Sequence, residues 1–136
     1  MKKKAPLKKK TADKPKRKTR AKADPSLNLA RLIGEAAEDM KGEKTVILDL
    51  KDKSSYADYL IITSASNTRQ ALAMADKIQD NIHAKTKKWP LGVEGTDSAL
   101  WVLIDYGDVV AHIFLEETRE FYRLERLWYD AKRVKL

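Results

Sequence analysis

The stretch WVLIDYGDVVAHIF, residues 101–114, has the pattern of two apolar strands joined by a tight turn. The simplest connection is a two-residue turn at Tyr106 and Gly107. In that register Asp105 faces Asp108 next to the turn, and Trp101 faces His112 at the open end of the hairpin. The segment therefore predicts a β-hairpin that carries two carboxylates at its turn and an aromatic pair at its open end.

The two faces of this hairpin differ in composition because side chains alternate along a strand. One face is aliphatic and is expected to pack on helices; it consists of Leu100, Val102, Ile104, Val109, Ala111 and Ile113. The other face consists of Trp101, Leu103, Asp105, Asp108, Val110, His112 and Phe114. Aromatic residues are enriched at interface centres, and facing carboxylates favour a basic partner. The alternative is that another helix covers this face, with Trp101 and His112 as core residues.

Helical and strand patterns alternate on both sides of the hairpin. Helices are predicted over 25–42, 66–85 and 116–132, and strands over 44–50, 58–64 and 91–94. Gly42 is expected to end the first helix, and Ser66 or Asn67 to cap the second, with Gln70 reaching back. This order predicts a single α/β domain with a mixed β-sheet flanked by helices.

Apolar stripes indicate which faces of the later helices are buried. The second helix is expected to bury Ala71, Leu72, Ala75, Ile78 and Ile82. The last helix is expected to bury Phe121, Leu124, Leu127 and Trp128.

Positive charge is concentrated at the start of the chain. Residues 1–24 contain ten lysines, two arginines and two aspartates, a net charge of +10, whereas the remaining residues carry −2. With little apolar surface to bury, residues 1–25 are predicted to be a disordered basic tail, and residues 26–136 the folded domain. The tail either attracts nucleic-acid phosphates by counterion release or is only a solubilising extension.

Composition excludes several classes of function. The chain has no cysteine, two histidines, and no apolar run of the roughly 20 residues that span a bilayer. It contains no glycine-rich phosphate loop, and Asp49 and Asp52 would point to opposite faces of a strand. The segment TSASNTR, 63–69, could present backbone N–H groups to an anion, although ordinary helix capping also explains it. No enzyme activity, cofactor, metal site or catalytic residue is predicted, and a soluble cytoplasmic protein is expected.

Four segments resemble the ribosomal silencing factor family, also called the Iojap-like family. They are DYLIITSASNTRQALAMADKI (58–78), PLGVEG (90–95), the hairpin, and EETREFYRLERLWYDA (116–131). The resemblance extends over residues 28–131 and leaves out the basic tail. Its most specific part is DYGDVVAHIF followed by the pattern ExRxFYxLExLW.

The resemblance implies an α/β domain related to nucleotidyltransferases but without their catalytic carboxylates. It implies a translational repressor that binds ribosomal protein fourteen of the large ribosomal subunit and sterically blocks joining of the small subunit, notably when nutrients are short. It also implies a homodimer in isolation. Because organellar relatives take part in large-subunit assembly, the alternative is an RNA-binding assembly factor whose basic tail contacts ribosomal RNA.

The resemblance also implies which residues bind the ribosomal protein. Trp101, Tyr106 and Tyr122 match positions that the family uses for this contact. The acidic residues Asp105, Asp108 and Glu116 are expected to pair with lysines and arginines of a basic partner, which steers association more than it adds affinity. Trp101 is the first candidate, followed by Tyr106.

Overall fold

Helix α1 begins where the basic run ends, and it runs from Pro25 to Asp39 in a computed structural model that describes residues 24–136. Asp24 caps it by accepting a hydrogen bond from the Leu27 N–H at 3.1 Å. Proline at the first helical position is already in the required backbone conformation. Asp24 and Pro25 fall within the predicted tail; the rest of that tail lies outside the described residues.

Helix α2, Thr68–Thr86, begins with the predicted cap. Asn67 Oδ1 accepts the Gln70 N–H at 2.8 Å, and Gln70 Oε1 accepts the Ser66 N–H at 2.6 Å. The capping interpretation of this segment is therefore confirmed. The buried stripe differs at one position, since Met74 is buried and Leu72 is exposed.

Six strands form one mixed sheet; the mixed sheet was predicted, but the sixth strand was not. They are β1 (Glu43–Asp49), β2 (Tyr59–Ala65), β3 (Gly92–Glu94), β4 (Trp101–Asp105), β5 (Val109–Leu115) and β6 (Lys132–Val134). Their order is β3-β4-β5-β2-β1-β6, with β2 and β5 parallel and every other neighbouring pair antiparallel. All seven residues of the central strand β2 are buried.

Each face of the sheet has its own core. Helices α1 and α2 cover one face, where the aliphatic side of the hairpin packs as predicted, except that Leu100 is exposed. The opposite face carries a second, smaller cluster built on Leu48, Leu60 and Phe114. Leu124 and Trp128 from the C-terminal segment pack against it. The face that was expected to be open is therefore partly covered by the chain itself.

The hairpin turn differs from the predicted one. Tyr106 N–H donates to the Val109 carbonyl at 2.9 Å, so the two turn residues are Gly107 and Asp108. Gly107 has φ +93, and glycine is favoured at such a position of a tight hairpin. The register shifts by two residues, which leaves the strand side chains on their predicted faces and moves Asp108 into the turn. Asp105 thus pairs with Val110 rather than with Asp108.

The predicted last helix over 116–132 is wrong beyond its first two turns. Helix α3 spans only Glu116–Tyr122; Arg123 then adopts a left-handed conformation, with φ 48, and a 3₁₀ helix follows over Leu124–Trp128. The predicted stripe is consequently split. Leu124 and Trp128 are partly buried, whereas Phe121 is 80% exposed and Leu127 69% exposed.

Candidate functional site

An aromatic cluster surrounds Trp101 at the start of β4. The Trp101 ring is partly buried, and its centroid lies 4.8 Å from that of the buried Phe114 and 4.8 Å from that of Tyr122. Tyr122, the last residue of α3, is 55% exposed, and Phe121 packs edge-on against it at 5.0 Å. The cluster thus extends from the core of the sheet to the surface.

A hydrogen bond fixes the orientation of the indole. Trp101 Nε1 donates to His112 Nδ1 at 2.9 Å. His112 is therefore neutral with its proton on Nε2, an atom that is buried without a partner among the described residues. Burial lowers the pKa of His112 to about 4. His112 is a packing partner of Trp101, as predicted, although Phe114 is the residue directly opposite the indole.

Negative charge collects at the other end of the hairpin. Asp105 is partly buried and accepts the Gly107 N–H at 2.8 Å, whereas Asp108 is exposed. Burial, followed by the nearby charge of Asp108, raises the pKa of Asp58. Burial also raises the pKa of Tyr56, with a further contribution from Asp105. Asp105 and Asp108 therefore both raise the pKa of neighbouring groups near the turn, although the two carboxylates do not face each other across the hairpin.

Glu116 already has a cationic partner within the chain. It begins α3, and its carboxylate lies 2.8 Å from Lys44 Nζ. The hydrogen bond from Lys44 lowers the pKa of Glu116. Both side chains are exposed, so a basic partner would have to compete with Lys44 for this carboxylate.

Tyr106 lies on the opposite side of the sheet from Trp101. Its ring packs against the core formed with α1 and α2. Burial raises the pKa of Tyr106 to about 12, and its hydroxyl is enclosed without a partner among the described residues. The structure thus brings Trp101 and Tyr122 together and does not bring Tyr106 to the same face.

Arg119 is a buried cation that the sequence patterns did not reveal. Its Nε donates to Glu125 at 2.7 Å and its Nη1 to Ser64 Oγ at 2.8 Å. Its other nitrogen, Nη2, donates to the Lys44 carbonyl at 2.8 Å. These bonds hold α3 and the 3₁₀ helix on the sheet, and they thereby position Tyr122. Arginine is rarely buried, so a periodicity analysis treats it as a surface residue.

Within residues 24–136, no group of three potential metal ligands is found. In the same range, no helix is long and apolar enough to cross a membrane. Aromatic clusters and charged turns are common in surfaces that bind macromolecules.

Known relatives match most of the chain. The family model described as "Ribosomal silencing factor during starvation" matches residues 8–136. A ribosomal silencing factor from Zymomonas mobilis is 40% identical over 112 residues, which cover 82% of this chain and 83% of the relative. A mouse protein named "Mitochondrial assembly of ribosomal large subunit protein 1" is 34% identical over 79% of this chain and 46% of its own length.

Solved structures show the same architecture. A crystal structure of a Chromobacterium violaceum protein superposes with a TM-score of 0.73 at 34% identity, over 79% of this chain and 88% of that one. The sequence matches and the superposition agree on the α/β domain described above. The chain therefore belongs to the ribosomal silencing factor family.

Proposed function

We propose that this protein represses translation in the cytoplasm by binding the large ribosomal subunit through ribosomal protein fourteen. Bound there, it prevents the small subunit from joining, without making or breaking a covalent bond. The observation that carries the proposal is the aromatic cluster of Trp101 and Tyr122, in a chain that belongs to the ribosomal silencing factor family.

The cluster has the properties of a binding hot spot. Phe114 and the hydrogen bond to His112 hold the Trp101 ring in place, so little side-chain entropy is lost when a partner covers it. Tyr122 and Phe121 present mostly exposed rings next to it. Large, rigid aromatic side chains of this kind contribute most to interface affinity.

The acidic turn supports a basic partner. Asp105 lies four residues from Trp101 along β4, or about 13 Å at the usual rise of a strand. One interface of about 800 Å² per partner can span both groups. Asp105 and Asp108 would then set orientation and association rate, while the aromatic cluster supplies affinity. Glu116 contributes only if it exchanges Lys44 for a residue of the partner.

Co-sedimentation with purified large subunits tests the proposed face. Trp101→Ala and Tyr122→Ala should each weaken binding by tenfold or more, in the range typical of hot-spot residues. Leu72→Ala is the matched control, because Leu72 is an exposed apolar residue on the helical layer behind the sheet. Circular dichroism should show that all three variants remain folded. Undiminished binding by both aromatic variants would contradict the proposal.

Tyr106 requires a separate interpretation. Because its ring packs in the core, Tyr106→Ala should weaken binding mainly by destabilising the hairpin. Tyr106→Phe removes only the enclosed hydroxyl and should bind large subunits as the unmodified protein does. A loss of binding by a fully folded Tyr106→Phe would show that the hydroxyl contacts the partner.

We also propose a homodimer for the free protein. The side chains of Phe121 and Leu127 are both largely exposed, and burial of such apolar groups by a second copy would stabilise a dimer. Light scattering should give a molar mass of two chains for the unmodified protein. The double variant Phe121→Ser, Leu127→Ser should have the mass of a single chain. A monomeric unmodified protein at micromolar concentration would contradict this.

The alternative function, an RNA-binding assembly factor, rests on the net charge of +10 in residues 1–24. Removing residues 1–23 tests it and spares Asp24, which also bonds to Lys51 and Tyr59. If the tail supplies the main contact, the truncated protein should lose binding to large subunits, and the intact protein should show a steep salt dependence. Binding that is retained at physiological salt would leave the aromatic cluster as the main contact.

A further inference from the structure

A second aromatic surface lies away from the Trp101 cluster, in the loop between α2 and β3. We propose that Trp89, together with Lys85, Lys87 and Lys88, forms a platform that binds single-stranded RNA. The site lies near the acidic turn of the proposed ribosomal-protein face but away from its aromatic cluster. Leu91 N–H donates to the Asp105 carbonyl, which places this loop at the turn end of β4, whereas Trp101 begins that strand.

One face of the Trp89 indole packs on a neighbouring side chain, and much of the residue is exposed to solvent. Its ring stacks on His83 with centroids 3.9 Å apart and planes inclined by 14°. Even so, 56% of the residue remains exposed. His83 is thus half-buried beneath the indole. Proteins that bind single strands use such exposed ring faces to stack bases.

The loop around Trp89 is ordered by local hydrogen bonds. The Thr86 hydroxyl donates to the Ile82 carbonyl at 2.7 Å and accepts the Lys88 N–H at 3.2 Å. Lys87 closes the helix with a left-handed backbone, φ 65, and its N–H donates to the His83 carbonyl. Trp89 is therefore presented in one orientation before any ligand binds, which lowers the entropy cost of stacking.

Local charge selects the ligand. Along the sequence, no acidic residue occurs between Asp80 and Glu94, whereas three exposed lysines do, and the acidic turn lies on the Leu91 side of the loop. Within residues 24–136, none of these lysines forms an ion pair. A lysine in the last turn also stabilises the helix dipole, which accounts for Lys85 but not for an open indole beside Lys87 and Lys88. Single-stranded RNA fits this site because its phosphates can pair with the lysines and its unpaired bases can stack on the Trp89 ring.

Photo-crosslinking locates RNA on the full-length protein. The probe is a twelve-nucleotide RNA containing 5-bromouridine, and the crosslinked residue is identified by mass spectrometry. We expect a crosslink at Trp89 in addition to any in the basic tail, and Trp101→Ala should not remove it. Crosslinks confined to residues 1–24 would overturn the proposal. Because this readout does not involve ribosomes, it is independent of the proposed repressor function.

Affinity measurements test stacking and charge separately. Trp89→Ala should weaken binding of the single strand by about tenfold, and Trp89→Phe by much less, with little effect of either on an RNA duplex of equal length. Lys87→Gly removes a charge and also relieves the left-handed backbone, so it should retain stability. It should reduce the slope of log affinity against log salt by about 0.7.

A matched control separates RNA stacking from general aromatic exposure. Tyr56 is 53% exposed, similar to Trp89, but it lies beside acidic groups, so Tyr56→Ala should bind the single strand normally. Equal losses for Trp89→Ala and Tyr56→Ala would overturn the proposal. So would a Trp89→Ala variant that binds large subunits less well but free RNA unchanged, since the patch would then be a protein contact.

Discussion

The buried imidazole of His112 makes the stability of the fold depend on pH. Burial lowers the pKa of His112 to about 4 in the folded protein, against an ordinary value of 6.5 in the unfolded chain. Between these values the unfolded chain binds a proton that the folded chain excludes. The contribution of His112 to the free energy of unfolding is therefore complete above pH 6.5 and is lost as the pH falls towards 4.

The size of this contribution follows from the two pKa values. At 1.36 kcal/mol for each tenfold change in proton affinity, the full effect is about 3 kcal/mol. Between pH 7.5 and pH 5 the expected loss is about 2 kcal/mol. His112 is only 3% exposed, so solvent screening does not reduce this value appreciably. Such a loss is a large fraction of the 5–15 kcal/mol that stabilises a typical domain.

Urea unfolding at the two pH values measures the effect, with His112→Gln as the reference. Glutamine does not titrate, and its amide oxygen can still accept the Trp101 N–H. Every other titrating group is common to both proteins, so the unmodified protein should lose about 2 kcal/mol more than the variant. Parallel losses would refute the reasoning. An NMR titration should independently place the His112 midpoint at about 4.

Three further predictions concern stability and are measured by urea unfolding at pH 7.5. Arg119→Met should lower the free energy of unfolding by about 3 kcal/mol, because it leaves buried and partly buried acceptors on three elements without their donor. Gly95→Ala should lower the free energy of unfolding by more than about 2 kcal/mol, because Gly95 has φ +87 and a Cβ would lie 2.0 Å from a β4 carbonyl oxygen. Gly92→Ala is its control and should change the stability little, since a Cβ there meets nothing within 4 Å. Asn67→Ala should cost about 1 kcal/mol through loss of the α2 cap, and an unchanged midpoint would show that Gln70 alone suffices.

The parts of the fold that were predictable are those in which local pattern and packing agree. The strand predicted over 58–64 is mostly apolar, and it is the central strand β2 within one residue. The N-cap at Asn67 follows from side-chain chemistry that operates within four residues. The two faces of the hairpin were also correct, because a register shift of two residues preserves alternation.

The C-terminal segment was not predictable because distant contacts determine it. Residues 116–132 have helical periodicity, but Arg119 draws α3 onto β1 and β2, and Arg123 then breaks the helix. The three residues of β6 carry no strand pattern and acquire their conformation by pairing with β1. The grouping of Trp101 with Tyr122 depends on this arrangement. The sequence alone could nominate both residues but could not place them in contact.

The buried guanidinium has a consequence for how foreign chains can approach. The last strand, β6, covers only Ile47–Asp49 of β1, and β1 has an irregular register between Glu43 and Val46. Arg119 occupies the carbonyls of Glu43 and Lys44 on that uncovered half. Two carbonyls at the start of β1 are therefore engaged by a side chain, which leaves fewer backbone acceptors there for intermolecular strand addition. A partner that approaches this part of β1 would therefore contact side chains, so single substitutions could change such a contact without altering the backbone.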